Sequence, residues 1–229
     1  MNELLYSTSY LWGILLLIPL YIYACIRLKE NRKEIILSGI TFGIGAILIG
    51  KFYANFDYWN PPYIFGADLP IEDFLYGFIF GGLSTVIYQL VFPIKFSLKK
   101  RRPHFESILL FAIFSVFCFT LVVDRLAMNS IIAHIIPPLF VGVYAIFYRR
   151  DLFKIAIISA SLLTLLTFVW QLLIIIIAPE VISRFWILEN LSGILIIVVP
   201  LEELLFAFAL GFGASIYYEF ITGKAYKKS

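Results

Sequence analysis

Seven stretches of this sequence are each apolar for about as long as a helix needs to cross a bilayer, and that fixes the class of fold before any motif is considered. Spanning ~30 Å of hydrocarbon takes about 20 apolar residues in a helix. Such runs fall near 6–27, 35–54, 70–93, 106–123, 129–148, 153–178 and 193–221, the fourth being the shortest. They are continuously apolar rather than alternating, which argues against a barrel. Lipid offers an open backbone no hydrogen-bond partners, so each run is expected as a closed helix. The composition agrees: 62% of residues are hydrophobic and 14% charged, where a soluble domain holds about half and a quarter. Met1, Asn2 and Glu3 supply no basic region ahead of the first run, which is therefore expected to stay as a helix rather than leave as a signal peptide.

Charge distribution predicts the orientation. With seven spans and the C-terminus inside, the inner segments hold Arg27, Lys29, Arg32 and Lys33, then Lys95, Lys99, Lys100, Arg101 and Arg102, then Arg149, Arg150 and Lys154, and finally Lys224, Lys227 and Lys228. Lys51, Arg125 and Arg184 fall outside. Fifteen of eighteen basic residues on one side is the positive-inside pattern of an N-out, C-in chain. These short clusters flank spans, so they read as topology signals rather than as surfaces for anionic lipid or nucleic acid. The expected location is the plasma membrane, crossed many times.

The chain also repeats itself. Residues 70–89 lie over residues 200–219 without a gap: Pro70 meets Pro200, Glu72 meets Glu202, Asp73 meets Glu203, Leu75 meets Leu205, Tyr76 meets Phe206, Gly81 meets Gly211, and Tyr88-Gln89 meets Tyr218-Glu219. Each Pro-x-acid-acid opens the third span of its half. The predicted fold is an all-α membrane protein of about seven helices in two parallel three-helix repeats, 1–94 and 129–229, joined by a basic loop and a linking helix over 95–128.

Acids after a proline have an ordinary reading, since proline suits a helix start and carboxylates there complement the helix dipole. That reading is respectable for Glu72 and Asp73, which follow a polar loop. It is weaker for Glu202 and Glu203, set between Ile194–Val199 and Leu204-Leu205-Phe206, because ionisable groups inside an apolar run are costly and signal function. A carboxyl in apolar surroundings keeps its proton nearer to neutral pH and can serve as a general acid. Most of the aromatic residues are packing or interfacial residues, but Tyr76 and Phe206, one turn after the first acids, are candidates to face a pocket and stabilise a cation. Gly43, Gly45, Gly81, Gly82, Gly211 and Gly213 read as close-packing positions. Cys25 and Cys118 read as small buried hydrophobes. His104 and His134 are isolated, so no metal site is expected. No dinucleotide, P-loop or nucleophile-elbow motif occurs, and the seventh span lacks a Schiff-base lysine until Lys224.

These residues resemble the small integral-membrane lycopene beta-cyclases, found as two-subunit or fused two-half carotenoid cyclases. The resemblance rests on Tyr58-Trp59-Asn60-Pro61, Tyr63, Gly66 and Leu69-Pro70-Ile71-Glu72-Asp73 in the first half. In the second it rests on Pro200-Leu201-Glu202-Glu203-Leu204-Leu205-Phe206, ending in Tyr218-Glu219. It implies a redox-neutral ring closure without a cofactor: an acid protonates the terminal double bond of a linear polyene, the neighbouring double bond attacks the cation, and a proton leaves. On this resemblance Glu72 and Glu202 are the acids and Asp73 and Glu203 proton acceptors or polar partners, with the roles in each pair open to reversal. Tyr76, Phe206, Tyr58, Trp59 and Glu219 would contact substrate. The sequence departs from the family pattern in the Glu-Asp pair, in Trp186-Ile187-Leu188-Glu189-Asn190 where a second Asn-Pro loop is expected, and in Lys51 and Gln171 where an acid is expected late in each half's second helix.

Expected partners are a lipophilic polyene or isoprenoid, membrane lipids, and either another copy of the chain or carotenoid-pathway enzymes, without nucleic acid. A proton-coupled transporter or accessory subunit is the alternative from another class. A CAAX-type intramembrane protease ranks lower, because neither an arginine nor a histidine follows Glu202-Glu203 where that family needs them.

Overall fold

The computed structural model of the chain describes residues 2–53, 57–66, 70–92 and 101–225, and of Asn2 and 51–53 the backbone alone. Leu69, Lys95, Lys99, Lys100, Lys227, Lys228 and the Lys51 side chain, all used above, lie outside the described residues, as do 54 and 93 at the ends of two expected spans. The described helices are α1 (Asn2–Ser7), α2 (Ser9–Leu15), α3 (Ile18–Arg27), α4 (Arg32–Tyr53), α5 (Ile71–Val91), α6 (Ser107–Phe119), α7 (Ser130–Tyr148), α8 (Phe153–Ile177), α9 (Val181–Phe185) and α10 (Leu201–Thr222). Seven stretches among them are long and apolar enough to cross a membrane. The protein is an all-helical, multi-pass membrane chain, as its apolar runs predict.

Three boundaries differ from expectation. The first span is not one helix: Pro19 sits in the first turn of α3, where it starts a helix but cannot continue the one before it. The fourth span is extended by a π-helical turn over Thr120–Arg125. The seventh begins at Leu201, not at 193. The apolar run before it is a short antiparallel hairpin, β1 (Leu195–Ile196) on β2 (Val199–Pro200), with most of its side chains turned outward. Pro200 disfavours helical backbone at Val199 and so sets the helix start. Ile197 takes the tight turn at φ 64°, a left-handed conformation that a β-branched residue rarely adopts. Glu202 and Glu203 therefore stand in the first turn of α10, as Glu72 and Asp73 stand in the first turn of α5; the premise that the second pair lies deep in an apolar run does not hold.

The helices opened by the two acid pairs, α5 and α10, are the most buried spans and touch each other at the centre. α4 packs on α5, and α7 and α8 pack on α10. The close approach is made by small residues. A side chain at Gly77 would meet the Phe42 carbonyl at 2.7 Å, and one at Gly211 would meet Ala160 Cα at 2.8 Å. Gly43, Gly81, Gly82 and Gly213 are equally crowded, but Gly45 faces open space and is not a packing position. Outward faces carry Leu109, Phe147 and Ile176 almost bare, as a hydrocarbon solvent allows.

The chain's alternation puts the loops around 57–66, 126–129 and 178–200 at one end of the bundle, the acid end. The basic segments around 28–33, 101–106, 149–154 and 223–225 gather at the other.

Candidate active site at the acid end of the bundle

Within each acid pair the two carboxyls do different work, and both pairs divide it alike. The first acid holds the loop before its own helix. Glu72, fully buried, accepts from the backbone N–H of Ile64 (2.7 Å) and Phe65 (3.3 Å). Glu202 accepts from Ser192 N–H (2.7 Å). The second acid turns into the bundle and meets side-chain donors from distant elements. Asp73 accepts from the Tyr10 hydroxyl (2.6 Å) on α2 and the Tyr63 hydroxyl (3.0 Å). Glu203 accepts from the Trp186 indole N–H (3.0 Å) and from Gln171 Nε2 (3.3 Å) on α8.

The two acid-end loops meet on a local two-fold. Asn60 N–H donates to Phe185 O and Ile187 N–H donates to Tyr58 O, both at 2.8 Å, so that Trp59 and Trp186 face each other across an antiparallel bridge. Tyr10 sets its ring edge-on to Trp59 at 4.8 Å, while Trp186 holds Glu203. Asp73 and Glu203 are thus linked through one stack of rings. Tyr76 stacks on Phe80 (5.2 Å) and Trp170 (6.0 Å) beside them, and Phe206 packs into the same core. Burial, then the carboxylates of Glu203 and Asp73 among other neighbours, pushes the Tyr58 hydroxyl well above the usual phenol range. Burial and Asp73 do the same for Tyr63. Both hydroxyls remain donors at any physiological pH.

Of the residues singled out from sequence, Glu72, Asp73, Glu202, Glu203, Tyr58, Trp59, Tyr76 and Phe206 come together here. Glu219 does not. It lies 16 residues further along α10, about 24 Å away at 1.5 Å per residue, buried at the basic end with Arg149 against its carbonyl.

A family model described as lycopene cyclase matches residues 3–91 and again residues 129–221. The chain belongs to the lycopene cyclase family. That makes it a chain of the carotenoid-cyclising type with a polyene isoprenoid as its class of substrate. No curated protein and no solved structure matches the chain.

In this cyclase-family chain the residues that sequence reasoning left out of the site are Tyr10, Tyr63, Trp170, Gln171 and Trp186, with His134 nearby, edge-on to Phe206 at 5.9 Å. Tyr63, Gln171 and Trp186 carried a signal, as parts of the loop motif or as departures from it. Tyr10 carried none, being 63 residues from Asp73. Among the described residues no group of three or more His, Cys, Asp or Glu could hold a metal ion.

Proposed function

We propose that the chain is a lycopene-type cyclase that closes a six-membered ring on a linear polyene end group by proton transfer alone. Asp73 and Glu203 would be the working acids and Glu72 and Glu202 the residues that fix the loops. The observation that carries this reading is the convergence of Asp73 and Glu203, one from each Pro-x-acid-acid helix, on a single cluster of aromatic rings.

The hydrogen-bond partners suggest a division of labour. Asp73 is held by hydroxyls, which can donate to a carboxylate or accept from a carboxylic acid, so its surroundings suit both protonation states. Glu203 is held by the Trp186 indole N–H, which only donates, and this favours a carboxylate. Asp73 would protonate the terminal double bond. The neighbouring double bond then attacks the tertiary cation and closes the ring, and Glu203 takes the proton released from the adjacent carbon. No electron leaves or enters. The cation would sit over the faces of Tyr76 and the tryptophans, where a desolvated cation gains about 2 kcal/mol per ring. The apolar groove of about 390 Å³ between α8 and α10, lined by Ser161, Thr164, Phe168, Ile196, Leu204 and Phe208, opens beside Glu203 and offers the polyene a way in from lipid.

In this reading the two halves are parallel repeats with the acid end outside and the basic end in the cytoplasm, in the plasma membrane. The test is expression in a lycopene-accumulating bacterial host with chromatography of the carotenoids. Wild type should yield cyclic products. Asp73→Asn and Glu203→Gln should lower them by a factor of about 10² or more, and Glu72→Gln and Glu202→Gln should retain them. The opposite pattern, with all proteins folded in the membrane, reverses the roles within each pair. Unchanged linear carotenoid with folded wild type excludes lycopene as the substrate.

A further inference from the structure

A cavity of about 520 Å³ opens at the basic end, far from the carboxyl pairs and unused by the chemistry above. Its walls bring together residues from two separate parts of the chain. Arg101, Arg102 and His104 come from the segment before α6, Tyr144 and Tyr148 from the last turns of α7, and Arg149 from just beyond it. Glu106 is the one carboxylate in the lining. Asp151 neutralises Arg149, and the remaining two guanidiniums, Arg101 and Arg102, against the one carboxylate Glu106 still leave the cavity positive.

The cavity is built rather than incidental. Arg101 N–H donates to Gly223 O (2.7 Å) and His104 N–H to Ile221 O (3.1 Å), which ties the segment to the end of α10. The His104 ring lies flat on Phe220, with centroids 4.4 Å apart and planes 3° apart. Arg149, only 5% exposed, is locked by both oxygens of Asp151 (2.9 and 2.8 Å) and by the Lys224 carbonyl (3.0 Å). Arg149 thus fixes one wall, while the exposed Arg101 and Arg102 side chains are left to meet a ligand. Arg102 approaches Glu106 only to 3.9 Å at a solvated position, where an ion pair holds weakly.

The rim is apolar. Phe105, Phe147 and Tyr148 lie exposed beside the cavity, on the faces of the bundle that meet lipid. A ligand that suits both features is anionic at one end and hydrocarbon at the other. We propose that this cavity binds the phosphate of an anionic phospholipid, with the guanidiniums of Arg101 and Arg102 on its oxygens and its acyl chains against Phe105 and Phe147. Guanidinium forks match phosphate geometry, and basic pockets between spans at the cytoplasmic side suit such headgroups. Free phosphate would use the arginines and leave the apolar rim idle. The positive-inside reading of these residues stands beside this one; topology needs the charges on one side but does not need them around one cavity.

The test uses the full chain reconstituted in phosphatidylcholine vesicles with a minor share of phosphatidylglycerol, then extracted in mild detergent, with retained lipid measured by mass spectrometry. Phosphatidylglycerol should be enriched over phosphatidylcholine, and excess inorganic phosphate should not displace it. At about fivefold per arginine near an anionic surface, Arg101→Gln/Arg102→Gln should lower retention about thirtyfold. Lys29→Gln/Lys33→Gln removes two exposed charges at the same end but outside the cavity, and should leave retention near wild type. Equal loss in both double variants, or no preference for phosphatidylglycerol in wild type, would overturn the site. Displacement by inorganic phosphate would overturn the lipid and leave a free-phosphate site. None of these readouts depends on cyclase activity.

Discussion

Trp59 and Trp186 pack against each other with ring centroids 5.4 Å apart and planes tilted by 32°, where the loops of the two acid-bearing helices pair backbone to backbone. Each ring leads to one carboxyl: Trp59 through the Tyr10 ring to Asp73, and Trp186 directly through its indole N–H to Glu203. The two tryptophans are alike in packing and unlike in hydrogen bonding, so a substitution that keeps the ring separates the two effects.

Trp186→Phe keeps a ring on the stack but removes the donor at 3.0 Å from Glu203. Losing a hydrogen bond to a charged group costs about 1.5–3 kcal/mol, and where that bond positions the proton acceptor the turnover number should fall roughly ten- to a hundredfold. The melting temperature should fall by several degrees as well, at about 2–4 °C per kcal/mol. Trp59→Phe leaves Glu203's partners in place and should lower turnover less. Equal kinetic losses in the two variants would disprove a role for the indole N–H.

Glu72→Ala and Glu202→Ala should release loops rather than stop chemistry outright. Glu72 takes the N–H groups of Ile64 and Phe65, and Glu202 takes that of Ser192. Leaving such donors unpaired costs about 1–3 kcal/mol. Hydrogen exchange should therefore quicken at Ile64 and Phe65 in the first variant and at Ser192 in the second, each without change in the other loop. Unchanged exchange at those amides would show that the loops are held by something else.

How much of this was legible beforehand depends on the range of the interaction involved. A span is a local property, some 20 apolar residues long; all seven are legible, six of them to within a few residues at both ends. The start of the last span was misread because hydropathy cannot tell a lipid-facing hairpin from a helix; Ile194–Val199 is apolar either way, and Pro200 was the better guide. The Pro-x-acid-acid motif was legible because its parts are adjacent. The partners that divide Asp73 from Glu72 were not, since Tyr10 and Gln171 reach their carboxyls only through helix packing. The pairing of Trp59 with Trp186 was hidden by loop length. The offset that lays Pro70 over Pro200 sets Trp59 against Glu189, three residues from its structural partner. Glu219 matched by that same offset, yet sits at the far end of α10, because alignment says nothing of which end of a helix a substrate meets.

Helix contact gives a prediction that ignores the chemistry. Gly77 and Gly211 sit where a side chain would strike backbone of the neighbouring helix, at the Phe42 and Ser159 carbonyls among others. Packed backbone cannot step aside cheaply, so Gly77→Val and Gly211→Val should each cost about 1–3 kcal/mol or more, seen as a lower melting temperature in detergent. Gly45 meets nothing, and Gly45→Ala should be neutral or gain up to about 1 kcal/mol of helix propensity. Destabilisation by Gly45→Ala comparable to that by Gly211→Val would refute this packing.

Alkaline pH should weaken the fold through Tyr63. Its hydroxyl, half-buried and beside Asp73, titrates above the ordinary phenol value in the folded chain. An unfolded tyrosine ionises near pH 10, so above that pH the unfolded chain loses a proton that the folded chain keeps, and stability falls as pH rises further. Tyr63→Phe has no proton to lose there. Its melting temperature, measured across the alkaline range, should decline less steeply above about pH 10 than that of wild type. A slope identical to wild type would assign the alkaline loss to other groups.

The groove between α8 and α10 makes the last prediction kinetic. Ser161 and Thr164 line it on α8, opposite Leu204 and Phe208, and Leu204 directly follows Glu203 in the chain. Ser161 is exposed and Thr164 half-buried, so bulk added there projects into open groove rather than into the core. Thr164→Trp should therefore fill the groove without unfolding the bundle. If the polyene enters along it, turnover of a membrane-borne substrate should drop by about tenfold or more while the melting temperature stays near wild type. Ile176→Trp, almost bare on the same helix and outside the groove lining, is the control for added bulk. A Thr164→Trp protein that cyclises at the wild-type rate would place the entrance elsewhere. The seam facing the hairpin at Ile196 would then be only a surface that meets lipid.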